Sequence, residues 1–208
     1  MAILPVLVYP DPELKRVSDP VDFKEDLTAT IQDLLDTMHD APGCVGLAAP
    51  QCGVRKRILI IDASRNPKVE SKYGLMVIIN PIVEYSEGEV LAREGCLSLP
   101  DLTANVKRAQ KIRVKFQNPQ NQEQEIEVSD FEARVVLHEL DHLDGILFLD
   151  RVASLKTDVF RRKRYAPKDG AGKPGEVKPG ESKPDELKLK DAKTPDSKPG
   201  EAAVRSES

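Results

Sequence analysis

The run from residue 131 to residue 143 constrains the fold more than any other segment of the chain. Apolar side chains occur on every side of this predicted helix, which indicates that the helix is buried among other elements rather than lying on the surface. His138 and His142 lie four residues apart and share one face of the helix, on a stripe with Phe131 and Val135. The fold must therefore enclose this helix, with two imidazoles pointing into packed surroundings.

The ends of this helix carry local signals. Ser129, followed by Glu132 three residues later, predicts a capping box. Gly145 is placed to end the helix. Hydrophobic periodicity predicts mixed α and β structure elsewhere: a helix over residues 27–38, strands at 57–61, 75–79, 112–116 and 126–128, a hairpin turn at 118–121 and a last helix over about 154–165.

The sequence His138-Glu139-Leu140-Asp141-His142 suits one divalent metal ion and one general base. Two imidazoles leave such an ion short of a third protein ligand, and no histidine follows His142 in the chain. Cys96, in a glycine-flanked segment, could supply a thiolate instead. Three protein ligands leave one position open for water, whose pKa the metal lowers towards roughly 7. The alternative is that both histidines are core residues with hydrogen-bonded rings.

Three short motifs together resemble those of the peptide deformylases: GLAAPQ at residues 46–51, EGCLS at residues 94–98 and HELDH at residues 138–142. The opening VYPDP at residues 8–12 is also similar, and the resemblance covers roughly residues 3–165. Two positions depart from the family pattern, because Cys44 replaces a glycine and Leu137 replaces a glutamine. The resemblance implies an α+β fold, with antiparallel sheets around a central metal-binding helix.

The resemblance also implies the chemistry of the site. Cys96, His138 and His142 would bind one divalent metal ion, physiologically Fe2+, with Zn2+, Ni2+ or Co2+ able to occupy the same ligands. Glu139 would be the general acid and base, taking a proton from water and delivering it to the departing amine. The reaction would be hydrolysis of the formamide at the N-terminus of new polypeptides, with release of formate.

Further roles follow from the same resemblance. The Gln51 side-chain amide and the backbone N–H of Leu97 would donate hydrogen bonds to the oxyanion that forms during hydrolysis. Glu94 would pair with Arg108 and brace the cysteine segment. These assignments predict that four segments distant in sequence meet at one site.

An apolar pocket is expected for the methionine side chain of the substrate. Its predicted lining comprises Val45, Leu99 and Val135, and Gly46 would let the backbone approach the substrate closely. The expected partners are N-formylmethionyl nascent peptides, with the ribosome near its exit tunnel as a further one. The basic residues 161–164 are predicted to be a solvated helix end, with contact to ribosomal RNA as the functional alternative.

Several reactive side chains have a structural interpretation as well as a functional one. Cys44 and Cys52 are predicted to be small packing residues, although Cys44 could be a second thiol near the metal. His39 closes the first helix, where a cation is favoured, so it is predicted to be structural. Asp141 could orient a ligand imidazole or simply lie on the helix surface.

Composition limits the class of protein. The chain has 208 residues, a formal net charge of −4 and three cysteines, which indicates one domain with a core, no nucleic-acid-binding character and a reducing compartment. No stretch approaches the length of a membrane span, and the N-terminal residues lack the pattern of a signal peptide. We therefore expect a cytoplasmic protein without a membrane partner.

The composition changes after residue 165. Residues 166–208 contain no aromatic side chain and repeat a Lys-Pro-Gly-Glu unit, which predicts a disordered tail because so little apolar area is available for burial. The sequence therefore predicts a catalytic domain over residues 1–165 and a tail over residues 166–208.

Two other functions compete with the deformylase interpretation. The first is a metallopeptidase that uses the same HExxH chemistry on internal peptide bonds, and the missing downstream ligand together with Cys96 argues against it. The second is a non-catalytic homologue that binds the ribosome or the nascent chain. The intact Glu139 and the complete set of ligands argue against this second function.

Overall fold

The computed structural model describes residues 2–69 and 71–162, and within them the HELDH helix is enclosed by two antiparallel sheets. The two α-helices are α1 (Thr28–Asp40) and α2 (Asp130–Leu143), and α2 carries the motif. The strands are β1 (Gly46–Ala48), β2 (Ile58–Asp62), β3 (Leu75–Glu87), β4 (Val90–Cys96), β5 (Leu99–Arg108), β6 (Lys111–Gln117), β7 (Glu123–Ser129) and β8 (Val159–Arg161). In this described part, no helix has the length and apolarity needed to cross a membrane.

The larger sheet has five strands in the order β1-β2-β3-β6-β7, and the smaller sheet has three in the order β4-β5-β8. Strand β2 shows how the larger sheet is built, because its two faces enter different parts of the core. Leu59 and Ile61 pack in the cluster that contains Val136 of α2, whereas Ile58 and Ile60 pack in the cluster that contains α1. Each such fully buried side chain contributes roughly 1.5–3 kcal/mol to folding. Burial on both faces explains why β2 is a continuous apolar run.

Helix α2 lies against the five-stranded sheet through its apolar side chains and against β4 and β5 through polar ones. It ends as predicted, because Gly145 has φ 68° and a Cβ there would lie 2.7 Å from the backbone of Lys15. The Ile146 N–H then donates to the Asp141 carbonyl at 2.8 Å, which satisfies one of the last carbonyls of the helix.

The predicted capping box at the other end of α2 is wrong. The Ser129 side chain caps no backbone N–H, and Asp130, at φ 51°, turns the chain between β7 and the helix. The carboxylate of Glu132 instead accepts hydrogen bonds from the Ser71 hydroxyl at 2.6 Å and the Lys72 N–H at 3.0 Å. Glu132 therefore connects α2 to a distant loop rather than closing its own first turn.

The α+β class and the antiparallel sheets around a central helix are confirmed, but the predicted helix over residues 154–165 is wrong in its described part. Residues 155–157 form a turn, and β8 pairs antiparallel with β5 through Leu102, Thr103 and Ala104. Val159 and Phe160 are strand-forming residues that gain more from packing on this sheet than from local helix formation. Arg161 therefore lies in a strand rather than at a helix end, and residues 163–208, including the predicted tail, lie outside the described residues.

Candidate metal centre

Three possible metal ligands meet where α2 passes the end of β4. The Cys96 Sγ lies 3.2 Å from the His142 Nε2, and one donor atom from each of Cys96, His138 and His142 lies within 4.8 Å of the other two. Leu97 and Ser98 form the turn between β4 and β5, and this turn holds Cys96 opposite Leu99. All three ligands are buried, so the sequence-predicted set is brought together by two elements of the fold.

The orientation of His138 is determined by Glu94. The His138 Nδ1 lies 2.9 Å from the Glu94 Oε2, so the Nδ1–H donates to the carboxylate and the Nε2 lone pair is left for a ligand. The rings of His138 and His142 are 5.1 Å apart between centroids and nearly perpendicular, at 80°. Burial lowers the pKa of His142, so this imidazole is neutral and its lone pair is free to bind. The Nδ1 of His142 is buried without a hydrogen-bond partner among the described residues.

Glu94 is itself held by Arg108, as the resemblance implied. The Arg108 Nε and Nη2 donate to the two Glu94 oxygens at 2.9 and 3.0 Å. Burial opposes ionisation of Glu94, but the hydrogen bonds from His138 and Arg108 outweigh it and lower its pKa to about 2. The Glu94 carboxylate is therefore charged at neutral pH, and it accepts a hydrogen bond from the Nδ1–H of His138.

Asp141 does not contact an imidazole. Its carboxylate accepts hydrogen bonds from Arg108 and, at 2.6 Å, from Arg151. The interpretation of Asp141 as the group that orients a ligand is therefore wrong, and Glu94 has that position. Glu94, Arg108 and Asp141 are all buried, and removal of one partner from such a network usually costs about 3–5 kcal/mol because an uncompensated charge remains.

The sulfur of Cys96 accepts hydrogen bonds from the Ser98 N–H at 3.3 Å and the Gln51 Nε2 at 3.4 Å. The Gln51 amide has a fixed orientation, because its Oε1 accepts from the Ala48 N–H at 3.0 Å and its Nε2 also donates to the Ser98 hydroxyl at 3.2 Å. The Gln51 donor is thus aimed at the ligand side of the site. Sequence reasoning gave Ser98 no role, although its place in the EGCLS motif was a signal.

An N-terminal segment connects the two motif loops, and sequence reasoning missed this contact. The Leu7 N–H donates to the Gln51 carbonyl at 2.7 Å, and the Tyr9 N–H donates to the Ser98 carbonyl at 3.0 Å. Residues 7–9 therefore hold the loop that carries Gln51 beside the turn that follows Cys96. The VYPDP resemblance at residues 8–12 was the only signal of this arrangement.

Glu139 lies next to the three ligands and directly against β1. A Cβ on Gly46 would lie 2.7 Å from the Glu139 Oε1 and 2.9 Å from a methyl group of Val135, so only glycine leaves room for the carboxylate. The Glu139 Oε2 is buried without a hydrogen-bond partner among the described residues. Burial raises the pKa of Glu139 to about 7, which suits proton transfer near neutral pH.

The other cysteines have the properties of packing residues. The Cys44 thiol donates to the Gly46 carbonyl at 3.0 Å, and burial, together with the nearby Glu139, raises its pKa to about 12. Burial likewise raises the pKa of Cys52 to about 11. Cys44 nevertheless lines a cavity with Cys96, so it lies near the candidate ligands as a neutral thiol. His39 lies in the last turn of α1, as predicted.

Two cavities adjoin the site and share Gly43, Val45, Gly95, His138, Glu139 and Arg162 in their walls. The inner cavity, of about 100 Å³, reaches Gln51, Cys96 and Leu97, and the predicted residue Gly46 also lines it. The outer cavity, of about 220 Å³, adds a second set of walls, formed by Phe131, Val135, Arg93 and Arg134. The two cavities therefore adjoin beside the ligands.

The structure does not bring Leu99 to either cavity. Leu99 pairs with Cys96 across the turn and is only 4% exposed, because its side chain packs with Leu14 and Phe148 in a separate part of the core. Phe131 lines the outer cavity instead, which sequence reasoning missed. Its place on the helix stripe with Val135 and His138 was the available signal.

The donor set fits a divalent ion. A thiolate and two imidazoles converge from different elements, and the hydrogen bond from His138 to Glu94 leaves the correct nitrogen facing the sulfur. Burial opposes protonation of His138, but Cys96 and Glu94 on its two sides raise its pKa well above the usual value.

Comparisons with known proteins agree on one family. The family model of polypeptide deformylase matches residues 3–158. The chain is 44% identical over 164 residues to the peptide deformylase of Thermodesulfovibrio yellowstonii, which covers 78% of this chain and 97% of that protein. It is 42% identical over 172 residues to the peptide deformylase of Acidobacterium capsulatum, and the match covers 82% of this chain and 99% of that protein. The crystal structure of a peptide deformylase from Legionella pneumophila is similar with a TM-score of 0.68 at 41% identity, covering 74% of this chain and 89% of that one.

Proposed function

The chain belongs to the polypeptide deformylase family, enzymes that remove the N-formyl group from new polypeptides, and we propose that Cys96, His138, His142 and Glu139 carry out this reaction here. The observation that supports these assignments most is the convergence of one thiol and two imidazoles beside the buried Glu139 carboxylate, whose Oε2 has no hydrogen-bond partner among the described residues. Water adds to the formyl carbon, the C–N bond breaks, and formate and a free α-amine are released.

The proposed ligands of the ion are Cys96, His138 and His142. When bound, the ion would act as a Lewis acid, lowering the pKa of water and polarising the formyl carbonyl. Glu139 accepts a proton from the attacking water and delivers one to the departing amine nitrogen. Its burial beside Gly46 supports this role, because a carboxylate with a pKa of about 7 exchanges protons readily near neutral pH.

The proposed oxyanion donors are the Gln51 side chain and the backbone N–H of Leu97. The Gln51 amide is held by the Ala48 N–H at its oxygen, so its Nε2 faces the Cys96 side of the inner cavity, and the N–H that it directs at the Cys96 sulfur would turn to the oxyanion. Leu97 belongs to the turn that follows Cys96 and also lines the inner cavity. Both donors therefore flank the volume in which the formyl carbon would react.

Gln51→Leu removes this donor while nearly keeping the side-chain volume, and we expect kcat to fall roughly 10²–10³-fold. Gln51→Glu is the matched variant, because its carboxylate still accepts from the Ala48 N–H but offers no N–H to an oxyanion. It should be impaired as well. Metal content and melting temperature, measured beside kcat, separate loss of the donor from loss of the site. An unchanged kcat in Gln51→Leu would remove this residue from the mechanism.

The proposed physiological metal is Fe2+, supported by the mixed thiolate and imidazole donor set, to which Zn2+, Ni2+ and Co2+ also bind. Metal analysis of anaerobically prepared protein tests this assignment directly. An iron site should lose activity in air, whereas a nickel-substituted sample should survive longer. Equal lifetimes of both forms in air and under nitrogen would contradict the proposal.

Formate release from formyl-Met-Ala-Ser by metal-replete protein tests the function against its rivals. The acetylated and unblocked forms of the same tripeptide are the controls, and neither should be hydrolysed. Cleavage of internal peptide bonds would indicate a metallopeptidase, and the absence of any hydrolysis would indicate a non-catalytic binding protein. The proposed location is the cytoplasm, with nascent chains near the ribosomal exit tunnel as substrates, because formylated N-termini arise during translation.

We also propose that residues 1–165 form the catalytic domain and that residues 166–208 are a dispensable tail. Every site residue predicted from the sequence lies between Val45 and His142, and Arg162, which lines both cavities, also precedes this boundary. A chain ending at residue 168 should match the full protein in melting temperature and in kcat/KM on a short formyl peptide. A melting temperature several degrees lower would mean that the tail stabilises the domain.

A further inference from the structure

Three arginines from three different elements line the outer cavity. Arg93 lies on β4, Arg134 on α2 and Arg162 directly after β8. In the described part of the chain, none of the three forms a salt bridge with a carboxylate, although most other arginines near the site do so. We call these three residues the arginine rim.

Arg93 is held in place by neutral partners. Its Nε donates to the Asn105 Oδ1 at 3.0 Å and its Nη1 donates to the Thr103 hydroxyl at 3.2 Å. Its guanidinium also stacks 3.6 Å above the ring centroid of Phe160, which β8 supplies. These contacts fix the orientation of Arg93 and leave its charge uncompensated, which is the arrangement expected of a preorganised anion-binding group.

Arg162 and Arg134 complete the rim from two sides. The Arg162 N–H donates to the Asp101 carbonyl at 2.8 Å, and its guanidinium covers Gly95, where a Cβ would lie 2.9 Å from the Nη2. Arg162 lines the inner cavity as well as the outer one. Arg134 lies one turn before His138 on α2, with its guanidinium 5.5 Å from the ring centroid of Phe131.

The charges that face the outer cavity do not balance. Its walls contain two carboxylates, Glu94 and Glu139. Glu94 is already compensated by Arg108 and His138, which leaves Glu139 against the three cations of the rim. Arg93 and Arg162 are exposed and Arg134 is half-buried, and guanidinium groups bind carboxylates through short, charge-assisted hydrogen bonds. A carboxylate entering this cavity would therefore be attracted.

We propose that the arginine rim binds a carboxylate carried by the substrate, on a residue that follows the formylated methionine, so that acidic N-terminal sequences are preferred. This inference rests on the proposed function, because it takes the adjoining cavities to be the path of the peptide. The apolar wall formed by Val45, Phe131 and Val135 is suited to the methionine side chain. The arginine rim would then contact the polar substrate residues that follow the methionine.

The position of Arg162 favours a peptide over a nucleic acid as the source of the anion. Arg162 is exposed, but because it lines both cavities its charge lies at their shared wall, close to the candidate ligands. An extended phosphate backbone requires several cations along an open face, whereas a single carboxylate can enter a cavity of about 220 Å³.

The test compares formyl-Met-Glu-Ala amide and formyl-Met-Ala-Glu amide with the same peptides containing glutamine instead of glutamate. C-terminal amidation removes the only other carboxylate. We expect the better glutamate peptide to exceed its glutamine partner roughly tenfold in kcat/KM at low ionic strength, mainly through a lower KM, and high salt should reduce this ratio. Failure of all four peptides to release formate would refute the proposed function rather than the role of the rim.

Two variants locate the effect. Arg162→Gln should reduce the ratio between glutamate and glutamine peptides, and combining it with Arg134→Gln and Arg93→Gln should bring the ratio close to one. Arg161→Gln is the matched control, because Arg161 is the exposed neighbour on β8 and lines neither cavity. It should keep the full ratio. Equal kcat/KM for the paired peptides, or a ratio unchanged in the triple variant, would overturn the proposal, as would competition by an RNA oligonucleotide without any preference for glutamate.

Discussion

Replacing Glu139 with glutamine should lower kcat roughly 10²–10⁴-fold while the protein keeps its metal ion. The substitution preserves the shape of a side chain that is packed against Gly46 and Val135, so the fold of α2 should not change. What it removes is the carboxylate that lies beside the three candidate ligands and lines both cavities. The buried Oε2, which has no partner among the described residues, is the atom that would take the proton of the attacking water.

Glu132→Gln provides the matched control for this result. Glu132 is a second buried glutamate on α2, but its carboxylate accepts from Ser71 and Lys72 and lines neither cavity beside the metal ligands. Its substitution should lower the melting temperature and leave kcat per folded, metal-loaded molecule nearly unchanged. Near wild-type turnover in a fully metal-loaded Glu139→Gln protein would require a different general base.

Much of the architecture could be predicted from periodicity, because strands and helices bury side chains at different intervals. Ile112, Val114 and Phe116 alternate with polar residues, and all three are buried on one face of β6. Helix α2 carries apolar residues around its circumference, and it is enclosed by both sheets. Such patterns depend on local spacing alone, so they are visible without knowledge of the partners.

The contacts that differ from the predictions are those that depend on tertiary neighbours. Glu94 and Asp141 are both carboxylates near a ligand histidine, and only the register of β4 on β5 decides that Glu94 reaches the ring. Leu99 follows the motif by one residue, yet the turn directs it into the core rather than into a cavity. The short strand β8 pairs with residues more than fifty positions earlier, so no local pattern could reveal it.

Replacing His142 with alanine should abolish metal binding and with it all formate release. His142 supplies one of the three donors that converge within the described part of the chain, and its Nε2 is 3.2 Å from the Cys96 sulfur. Two remaining donors hold a divalent ion far more weakly than three, because the lost ligand is replaced by exchangeable water. His138→Ala should give the same result and should in addition leave Glu94 without its imidazole partner.

The measurement is metal content per chain in anaerobically purified protein, alongside formate release. His39→Ala is the matched control, since His39 is the remaining histidine of the chain and lies exposed at the end of α1, and this variant should keep one metal equivalent and full activity. Cys96→Ser should retain a weakened site with a preference for harder metals, because a hydroxyl is a poor soft ligand. A full metal equivalent in His142→Ala would contradict the ligand assignment, since the ion would then have to be held by groups outside the convergent set.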